Sequence, residues 1–433
     1  MSDAPPLAVA LAGLGTVGAG LVDLLQRQSD LIAARAGRRI EIRAVSARNR
    51  ARNRGIDIGG FQWWDDAASM ARDAEVDAVV ELIGGSNGPA LAVIESALAK
   101  RRPVVTANKA LLAHHGTELA AKAEQAGVTL GFEAAVAGGI PIIKALREGL
   151  AGNALSRVYG ILNGTCNYIL TAMRESGRPF AEVLEEAQRL GYAEADPSFD
   201  VDGIDAAHKL AILASVAFGT KVDFGAIHVE GIRNVSPLDI DYAGELGYRI
   251  KLLGIARLTE LGLEQRVHPC MVPVNSPIAH VEGVFNAVVA EGDSVGSSFY
   301  QGRGAGSGPT ASAVVSDLID LARGHRVATF GRPAATLVKA PHASIDRHLG
   351  PYFIRLSVYD RAGVVADISA ALRDERVSIE ALLQRGRNPG EAVPIVITTH
   401  ATEEAAMMRA LKIISRLDCV TEPPCLIRII EGI

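Results

Sequence analysis

The chain has 433 residues, of which 48% are hydrophobic and 21% are charged, and its formal net charge is −5 at pH 7. This composition predicts a globular protein of two to four domains, at about 150 residues per domain, and argues against nucleic acid as a partner. The apolar runs fall far short of the roughly 20 residues of a membrane span, and the four scattered cysteines are typical of a reducing cytoplasm.

The N-terminal part of the chain alternates strand-like and helix-like segments. No basic region precedes its first apolar run, so we expect no signal peptide and a cytoplasmic protein. Residues 7–140 contain five short β-rich runs with helical pieces between them: LAVALAG, IEIRAVSA, VDAVVELIG, RPVVTA and GVTLGFEAA. This alternation predicts an α/β domain, with a Rossmann-type, doubly wound parallel sheet covered by helices.

A glycine turn follows the first predicted strand and opens a helix. It reads GxGxxG from Gly13 to Gly18. Gly13 permits the tight turn, Gly15 lets a pyrophosphate approach the backbone, and the helix N-terminus favours the phosphate charge. The turn therefore predicts a dinucleotide site, with an ordinary strand–turn–helix as the alternative.

The second predicted strand ends without an acidic residue. Instead it runs into a basic segment that contains Arg48, Arg50 and Arg52. An acid at this position would favour NAD, whereas an arginine suits the 2′-phosphate of NADP. We therefore favour NADP, with NAD still open, and a solvated basic loop is the alternative interpretation of the arginines.

Lys109 ends the segment VVTANK, at the carboxyl end of a predicted strand. Ligands of doubly wound sheets bind outside the carboxyl ends of the strands, so Lys109 is placed to reach a cofactor or substrate. The alternative is a surface lysine that opens the next helix.

Residues 141–304 mix helices and β-rich runs, which predicts a second, α+β domain, and they hold an acidic stretch that ends in Lys209. Asp205 and Lys209 lie four residues apart on one helical face, with Asp205 in the first turn. Composition alone favours an exposed salt bridge worth ~0.3–0.5 kcal/mol. The alternative is a polar pocket, in which Glu194, Asp200 and Asp205 hold a substrate ammonium and Lys209 gives a proton to an alkoxide.

The segment from Asn163 to Thr165 opens another helix, whose free N–H groups could hold a carboxylate. Plain helix capping is the alternative. An ammonium site and a carboxylate site in one domain indicate an amino acid as the substrate.

The last third of the chain starts with a glycine-rich loop and a strong helix over about 305–328. Residues 329–350 resemble a linker. Residues 351–433 then order their predicted elements as βαββαβ, which is typical of a small two-layer domain.

Over nearly its whole length the chain resembles homoserine dehydrogenase. Six segments carry the resemblance, and the acidic stretch is the most specific of them: the glycine turn, TANK, FEAAVAGGIPII, NGTCNYIL, GYAEADPSFDVDGIDAAHKLAIL and GRGAGSGPTASAV. The resemblance implies reversible NAD(P)-linked interconversion of L-homoserine and L-aspartate 4-semialdehyde, in threonine and methionine biosynthesis.

The resemblance also implies roles for single residues. Lys209 becomes the proton donor, and Lys109 contacts the cofactor and the reacting oxygen. Glu194 and Asp205 face the substrate amino group, with Asp200 nearby. The implied cofactor residues are Gly13, Gly15, Thr16, Val17, Gly18, Arg48, Gly85, Lys109 and Gly306. The implied substrate residues are Glu194, Asp200, Asp205, Gly164 and Thr165. A structural Na⁺ would be held by the carboxylate of Glu133 and the backbone oxygens of Val136, Gly138 and Ile140.

The C-terminal domain resembles an ACT domain through the segment SVYDRAGVVADISAAL. Such domains bind small amino acids, so L-threonine is the implied effector, and a dimerisation module without an effector is the alternative. The resemblance further implies a homodimer or homotetramer, and a cofactor domain made of residues 1–140 and about 305–328.

Two other functions compete with this hypothesis. A catalytically inactive amino acid sensor would need neither Lys109 nor Lys209. A dehydrogenase of another amino acid or aldehyde is disfavoured by the pairing of Glu194 with Asp205.

Overall fold

The computed structural model describes residues 4–385 and 391–432 of the chain. Its helices are α1 (Thr16–Arg27), α2 (Ser29–Ala36), α3 (Ala67–Asp73), α4 (Pro89–Ala99), α5 (Lys109–Ala126), α6 (Ile142–Lys144), α7 (Gly164–Ser176), α8 (Phe180–Arg189), α9 (Ser198–Val201), α10 (Ile204–Phe218), α11 (Pro237–Glu245), α12 (Ser307–Arg323), α13 (Val364–Asp374) and α14 (Glu404–Ile414). Its strands are β1 (Leu7–Ala12), β2 (Ile40–Ser46), β3 (Gln62–Trp64), β4 (Ala78–Glu81), β5 (Val104–Thr106), β6 (Leu130–Gly131), β7 (Leu155–Ile161), β8 (His228–Val229), β9 (Tyr248–Thr259), β10 (Gly262–Pro273), β11 (Phe285–Gly292), β12 (Gly296–Arg303), β13 (Leu349–Gly350), β14 (Tyr352–Tyr359), β15 (Ile379–Gln384), β16 (Ala392–Thr399), β17 (Thr402–Glu403) and β18 (Cys425–Ile429).

The first sheet is parallel throughout and has the strand order β3-β2-β1-β4-β5-β6. This is the order of a dinucleotide-binding Rossmann fold, and it confirms the predicted fold class. The strand order reverses between β1 and β4, which opens a crevice at their carboxyl ends. The sequence analysis missed β3, because three residues are too few to show a period.

Alternation along β1 sends side chains to two helical layers. Val9 and Leu11 lie in an apolar cluster with residues of α1 and α12. Ala10 and Ala12 lie in the cluster that holds residues of α3, α4 and α5. Helix α12 therefore packs on this sheet although it follows the second domain in sequence, and the Ser307 hydroxyl donates to the Thr16 carbonyl at 3.0 Å.

The second domain is built on a mixed sheet in which the neighbouring strands are β12-β11-β7-β9-β10. Helix α10 lies in its core, and Asp205 through Val216 are buried without interruption. A helix that is buried on all sides carries no solvated polar face. Any charged group on α10 therefore needs partners inside the protein.

The C-terminal domain has the predicted βαββαβ order, with the strand order β18-β14-β16-β15 and helices α13 and α14. The third of the predicted elements corresponds to residues 378–386 (SIEALLQRG). The observed strand β15 ends at Gln384, and Gly386 lies outside the described residues. Strand β18 also pairs in parallel with β10, at Cys270–Arg428 and Met271–Ile429. The sheets of the two domains are therefore continuous, which the sequence did not indicate.

The region predicted as a linker is anchored to both domains around it. Within 329–350 the elements are a two-residue strand and short 3₁₀ turns at Ala334–Thr336 and Ile345–Arg347. The Phe330 ring lies 5.4 Å from that of Phe132.

Among the described residues, no helix is both long and apolar enough to cross a bilayer.

Candidate active site

A buried lysine and a buried carboxylate on α10 form the centre of the site. The Lys209 Nζ lies 2.7 Å from Oδ2 of Asp205 and donates to the Leu162 carbonyl at 2.6 Å. The two side chains are only 9% and 5% exposed. The exposed salt bridge that composition favours is therefore wrong, because the pair exists but lies inside the protein.

Lys109 approaches the same carboxylate from the first domain. It is the first residue of α5, and its Nζ lies 3.0 Å from Oδ1 of Asp205. Its ammonium also lies 5.8 Å from the centre of the Phe199 ring. Asp205 thus holds one lysine on each oxygen, and it joins the cofactor domain to the second domain.

The amide of Asn163 arranges the two carboxylates. Its Oδ1 accepts from the Cys166 N–H at 2.8 Å, which is the helix capping that the sequence offered as an alternative. Its Nδ2 donates to Asp200 Oδ1 at 2.7 Å and to Asp205 Oδ2 at 2.9 Å. One side chain therefore caps α7 and fixes both acids, a second role that the sequence analysis missed.

The electrostatics of the site separate the two lysines. Burial lowers the pKa of Lys209, and Lys109 lowers it further, although Asp205 opposes them. Burial also disfavours the charge of Lys109, but Asp205, Asp200 and Glu194 outweigh burial and raise its pKa. Opposite shifts in neighbouring groups are typical of acid–base pairs with different roles. The site therefore favours the neutral form of Lys209 more than that of Lys109.

The two nearby acids shift in opposite directions as well. Burial disfavours ionisation of Asp205, but the ammonium groups of Lys209 and Lys109 outweigh it and lower the pKa of this carboxyl. Burial raises the pKa of Asp200, and repulsion by Asp205 adds to the effect. An additional cation near Asp200 would stabilise its ionised form and lower its pKa.

A cleft of about 290 Å³ lies beside these lysines, at the crevice between β1 and β4. Its walls include Val17 of the glycine turn, Gly84 after β4, Gly306 before α12, and both Lys109 and Lys209. The structure thus brings together the predicted catalytic lysines and part of the predicted cofactor set in one cavity.

The glycine turn is shaped by close backbone contacts. Gly13 has φ +104°, and a Cβ there would lie 2.5 Å from the Leu82 carbonyl oxygen. A Cβ on Gly18 would lie 2.1 Å from the Gly13 oxygen, whereas one on Gly15 would meet nothing within 4 Å. Gly13 and Gly18 are therefore required by the fold, and Gly15 leaves open space at the start of α1. A phosphate group can therefore approach the backbone at this helix N-terminus.

The basic segment after β2 is only partly in contact with the turn. Arg48 and Arg50 are exposed, and Arg54 donates to the Leu14 carbonyl at 3.0 Å. Arg54 and Arg50 also lie 6.0 and 5.8 Å from the centre of the Trp63 ring. The last residue of β2 is Ser46, so neutral and basic groups follow this strand.

A buried polar group behind the cleft was missed by the sequence analysis. Glu81 at the end of β4 accepts from the Thr106 hydroxyl at 2.6 Å and from the Ile83 N–H at 2.7 Å. Burial raises its pKa, against these hydrogen bonds. Asn108 caps α5 through Leu111 N–H and donates to the Gly85 carbonyl at 2.7 Å. An acid that ends a fully apolar strand was the available signal.

The remaining predicted substrate residues lie at the start of α7 and in the loop between α8 and α9. The Thr165 hydroxyl donates to the Tyr192 carbonyl at 2.7 Å. A Cβ on Gly164 would lie 2.8 Å from the Val284 oxygen, so the start of α7 packs closely there. Glu194 is exposed, and its charge contributes to the raised pKa of Lys109.

The predicted sodium segment is buried and has another organising role. The Glu133 carboxylate accepts from the N–H groups of Ile143 and Lys144, at 2.9 Å each. Burial, with the charge of Asp317, raises its pKa to about 7. Among the residues that the structure describes, no group of three or more His, Cys, Asp or Glu side chains could hold a metal. The sodium site stays a prediction.

Comparison with known proteins gives one consistent family. Residues 141–319 match the sequence profile described as homoserine dehydrogenase, and 13–133 match its NAD-binding domain. Residues 352–416 match the ACT domain.

Individual relatives belong to the same family, and two of the three described here cover 98% of this chain. Homoserine dehydrogenase of Pseudomonas aeruginosa is 46% identical over 431 residues, which cover 98% of this chain and 99% of that protein. The crystal structure of a homoserine dehydrogenase from Thiobacillus denitrificans is 47% identical, with a TM-score of 0.92 and 98% of both chains covered. A hyperthermophilic archaeal homoserine dehydrogenase in complex with NADPH is 26% identical, with a TM-score of 0.64 over 74% of this chain and 99% of that one.

Proposed function

The chain belongs to the homoserine dehydrogenase family and is an oxidoreductase with a Rossmann NAD-binding domain, and we propose that it interconverts L-homoserine and L-aspartate 4-semialdehyde. One observation carries the proposal. Lys209 and Lys109 hold the two oxygens of Asp205 and line the same cleft as the glycine turn. An amino acid sensor would have no use for a proton donor at this position.

Lys209 handles the proton. In reduction of the aldehyde, its ammonium donates a proton to the oxygen that develops negative charge, and in oxidation its neutral amine accepts the hydroxyl proton. The Leu162 carbonyl and Asp205 Oδ2 keep the Nζ in place in both states. The nicotinamide, when bound, supplies or accepts the hydride.

Lys109 supplies a permanent positive charge. Its raised pKa keeps the ammonium protonated beside Asp205, so it can stabilise an alkoxide without taking part in proton transfer. The two lysines therefore divide the work between charge stabilisation and proton exchange.

The substrate amino acid group is held by the second domain. The resemblance implies that Glu194 and Asp205 face the substrate amino group. Because the Asp205 oxygens already bind two lysines and an amide, we assign the substrate ammonium to Asp200 and Glu194 instead. A bound ammonium would relieve the raised pKa of Asp200. The N–H groups of Gly164 and Thr165 at the start of α7 would hold the substrate carboxylate.

NADP is the proposed cofactor, with NAD as the weaker alternative. Neutral and basic residues follow β2 at the position where an acid would bind the ribose of NAD. Arg48 is exposed there and would reach a 2′-phosphate. One family relative was solved in complex with NADPH.

Sodium is proposed as a structural ion only. Glu133, Val136, Gly138 and Ile140 offer oxygen ligands, which suit a hard cation, and positive φ angles of 56° at Ala137 and 45° at Gly138 turn the backbone between them. Each Glu133 oxygen keeps a lone pair beyond its N–H partner. A melting temperature that rises with NaCl over choline chloride, and does not in Glu133→Gln, would support the ion. Equal behaviour of the two proteins would reject it.

Feedback regulation is the proposed role of the ACT domain, with L-threonine as effector, in threonine and methionine biosynthesis. The continuity of β18 with β10 supports a mechanical connection between this domain and the second domain. A homodimer or homotetramer remains part of the proposal. L-threonine should inhibit the full-length enzyme, and activity independent of L-threonine would leave the ACT domain an assembly module.

The reaction itself is tested by following NADPH absorbance after addition of L-aspartate 4-semialdehyde. We expect oxidation of NADPH with formation of L-homoserine. Absence of turnover with both NADPH and NADH would contradict the proposal and favour the amino acid sensor. Turnover of another aldehyde alone would indicate a different dehydrogenase.

A further inference from the structure

Arg428 of the ACT domain joins two carboxylates across the seam between β18 and β10. Its Nε donates to Glu404 at 2.9 Å, and its terminal nitrogens donate to both oxygens of Glu230 at 2.9 Å. The Arg428 side chain is only 3% exposed. Glu404 belongs to the ACT domain, where it also accepts from the Tyr352 hydroxyl at 2.8 Å, whereas Glu230 belongs to the second domain.

The Glu230 carboxylate is held firmly in its ionised form. Burial opposes its ionisation, but hydrogen bonds from His228 and Arg428 outweigh burial and bring its pKa to about 2. Its own N–H donates to the Val267 carbonyl at 2.7 Å. Both the side chain and the backbone of Glu230 are therefore fixed between β10 and the ACT domain.

The two residues after Glu230 pack directly on the segment that carries Asp200. The Ile232 N–H donates to the Val201 carbonyl at 2.9 Å. A Cβ on Gly231 would lie 2.2 Å from the same Val201 oxygen, so the two backbones are in contact. A displacement of Glu230 would therefore shift Val201, the residue next to Asp200, through this backbone contact.

Asp200 is also held by contacts within its own segment and with α7. Its N–H donates to the Pro197 carbonyl at 3.0 Å, and its carbonyl accepts from the Gly203 N–H at 3.0 Å. It lies in α9, a helix of four residues, and its carboxylate is held by Asn163 at 2.7 Å. Cys166 Sγ donates to its carbonyl at 3.2 Å. The backbone contact from Gly231 and Ile232 adds to these and connects the segment that carries Asp200 to Glu230.

We propose that Arg428 is a positioning residue, which acts through Glu230 to set Asp200 and hence the binding of the substrate amino group. This inference rests on the proposed function, because it assigns Asp200 to the substrate ammonium. It makes the affinity for the amino acid depend on an ion pair between the ACT domain and the second domain. Hydride transfer and cofactor binding do not depend on this pair.

The variants Arg428→Gln and Glu230→Gln test the proposal, and Arg428→Lys is the conservative replacement. The matched control is Arg355→Gln. Arg355 makes another buried ion pair between the two domains, with Nε 2.6 Å from Asp239 Oδ1. Asp239 lies in α11 and accepts from its own N-cap, Ser236. Loss of either pair removes a buried interdomain contact. Of these two pairs, Arg428–Glu230 is the one that is connected to the segment that carries Asp200.

We expect Arg428→Gln and Glu230→Gln to raise KM for L-homoserine roughly tenfold, while kcat and KM for NADP stay within about twofold of the wild-type values. Arg428→Lys should restore part of the KM, and Arg355→Gln should lower the melting temperature without changing KM. A merely structural role would change the melting temperature of all these variants and leave KM alone, which would overturn the proposal. If Arg428→Gln does not fold, Glu230→Gln decides, because this side chain is 40% exposed.

Turnover of L-homoserine by the wild-type enzyme is measured first. Absence of wild-type turnover contradicts the proposed function. Wild-type turnover with an unchanged KM in Glu230→Gln contradicts only the positioning role.

Discussion

The ammonium nitrogen of Lys209 lies 2.7 Å from Oδ2 of Asp205, one helical turn away on a helix that is buried on all sides. A charge in such a place is costly unless it is paired. Burial lowers the pKa of Lys209 although its pairing with Asp205 opposes this shift, whereas the ammonium groups of Lys209 and Lys109 outweigh burial and lower the pKa of Asp205. The protein thereby keeps a lysine that can release its proton next to a carboxylate that stays ionised.

Replacement of Lys209 by alanine should remove the proton donor and keep the fold. Asp205 retains Lys109 at 3.0 Å and Asn163 at 2.9 Å in this variant, so its charge stays compensated. We expect kcat to fall about 10²–10⁴-fold, with an unchanged circular dichroism spectrum. Lys122→Ala, which removes a half-exposed lysine paired with Glu95, is the control. Near-normal turnover of Lys209→Ala would exclude the proton-donor role.

The kcat values for aldehyde reduction and for alcohol oxidation should change with pH in opposite directions. Reduction needs the protonated Lys209, so its kcat should fall as pH rises through the lowered pKa of this residue, below the usual lysine value of about 10.4. Oxidation needs the neutral amine, so its kcat should rise through the same midpoint. Steady-state rates in both directions across pH 6–11 (about the range over which a perturbed lysine titrates) check this. Profiles with the same sign in both directions would contradict it.

Asp205→Asn separates the titration of Lys209 from that of the substrate. Asp205 is the main group that favours the charged form of Lys209, so its loss should move the midpoint of the reduction profile to lower pH. The substrate amino group would not shift in this way. An unchanged midpoint would indicate that another group titrates.

Much of this arrangement was visible in the sequence, and the reasons for the exceptions are physical. The strand–glycine–helix order predicts the Rossmann sheet because backbone geometry at Gly13 is local. The i,i+4 spacing predicts that Asp205 and Lys209 meet, but spacing carries no information on burial. Burial of α10 comes from tertiary packing on α5, β7, β9 and β10, which the spacing of two residues does not show.

Long-range contacts were the other gap. Asn163 reaches Asp205 across 42 residues, and β18 reaches β10 across more than 150 residues. A polar residue before a helix, such as Asn163, predicts a helix cap. The folded chain shows in addition that the Asn163 amide group donates to both Asp200 and Asp205. The positive charge of the segment around Arg48 is evident from the sequence, but charge alone does not identify the ligand that the segment binds.

Two glycine variants should behave differently in the glycine turn. A Cβ on Gly13 would lie 2.5 Å from the Leu82 oxygen at φ +104°, so Gly13→Ala should destabilise the protein by about 1–3 kcal/mol. Gly15→Ala should keep its stability, because nothing lies within 4 Å of the added methyl, and should weaken cofactor binding. Thermal denaturation and NADPH titration measure both effects. NADPH affinity of Gly15→Ala equal to wild type would mean that the pyrophosphate does not bind over this turn.

Arg48→Ala should discriminate between the two nicotinamide cofactors. We expect KM for NADPH to rise by about tenfold, since a hydrogen bond to a charged group contributes about 1.5–3 kcal/mol, and KM for NADH to stay unchanged. Arg189→Ala, an exposed arginine of α8, controls for net charge. An equal change for both cofactors would show that Arg48 does not recognise the 2′-phosphate.

The most direct test of the central claim is a crystal structure of the enzyme with NADP and L-homoserine. If Lys209 is the proton donor, its Nζ should lie about 2.7–3.2 Å from the substrate hydroxyl oxygen, and the carbon that bears this hydroxyl should face the nicotinamide ring above the glycine turn. A ternary complex in which Lys209 contacts only Asp205 and Leu162, with the substrate hydroxyl held by other groups, would contradict it.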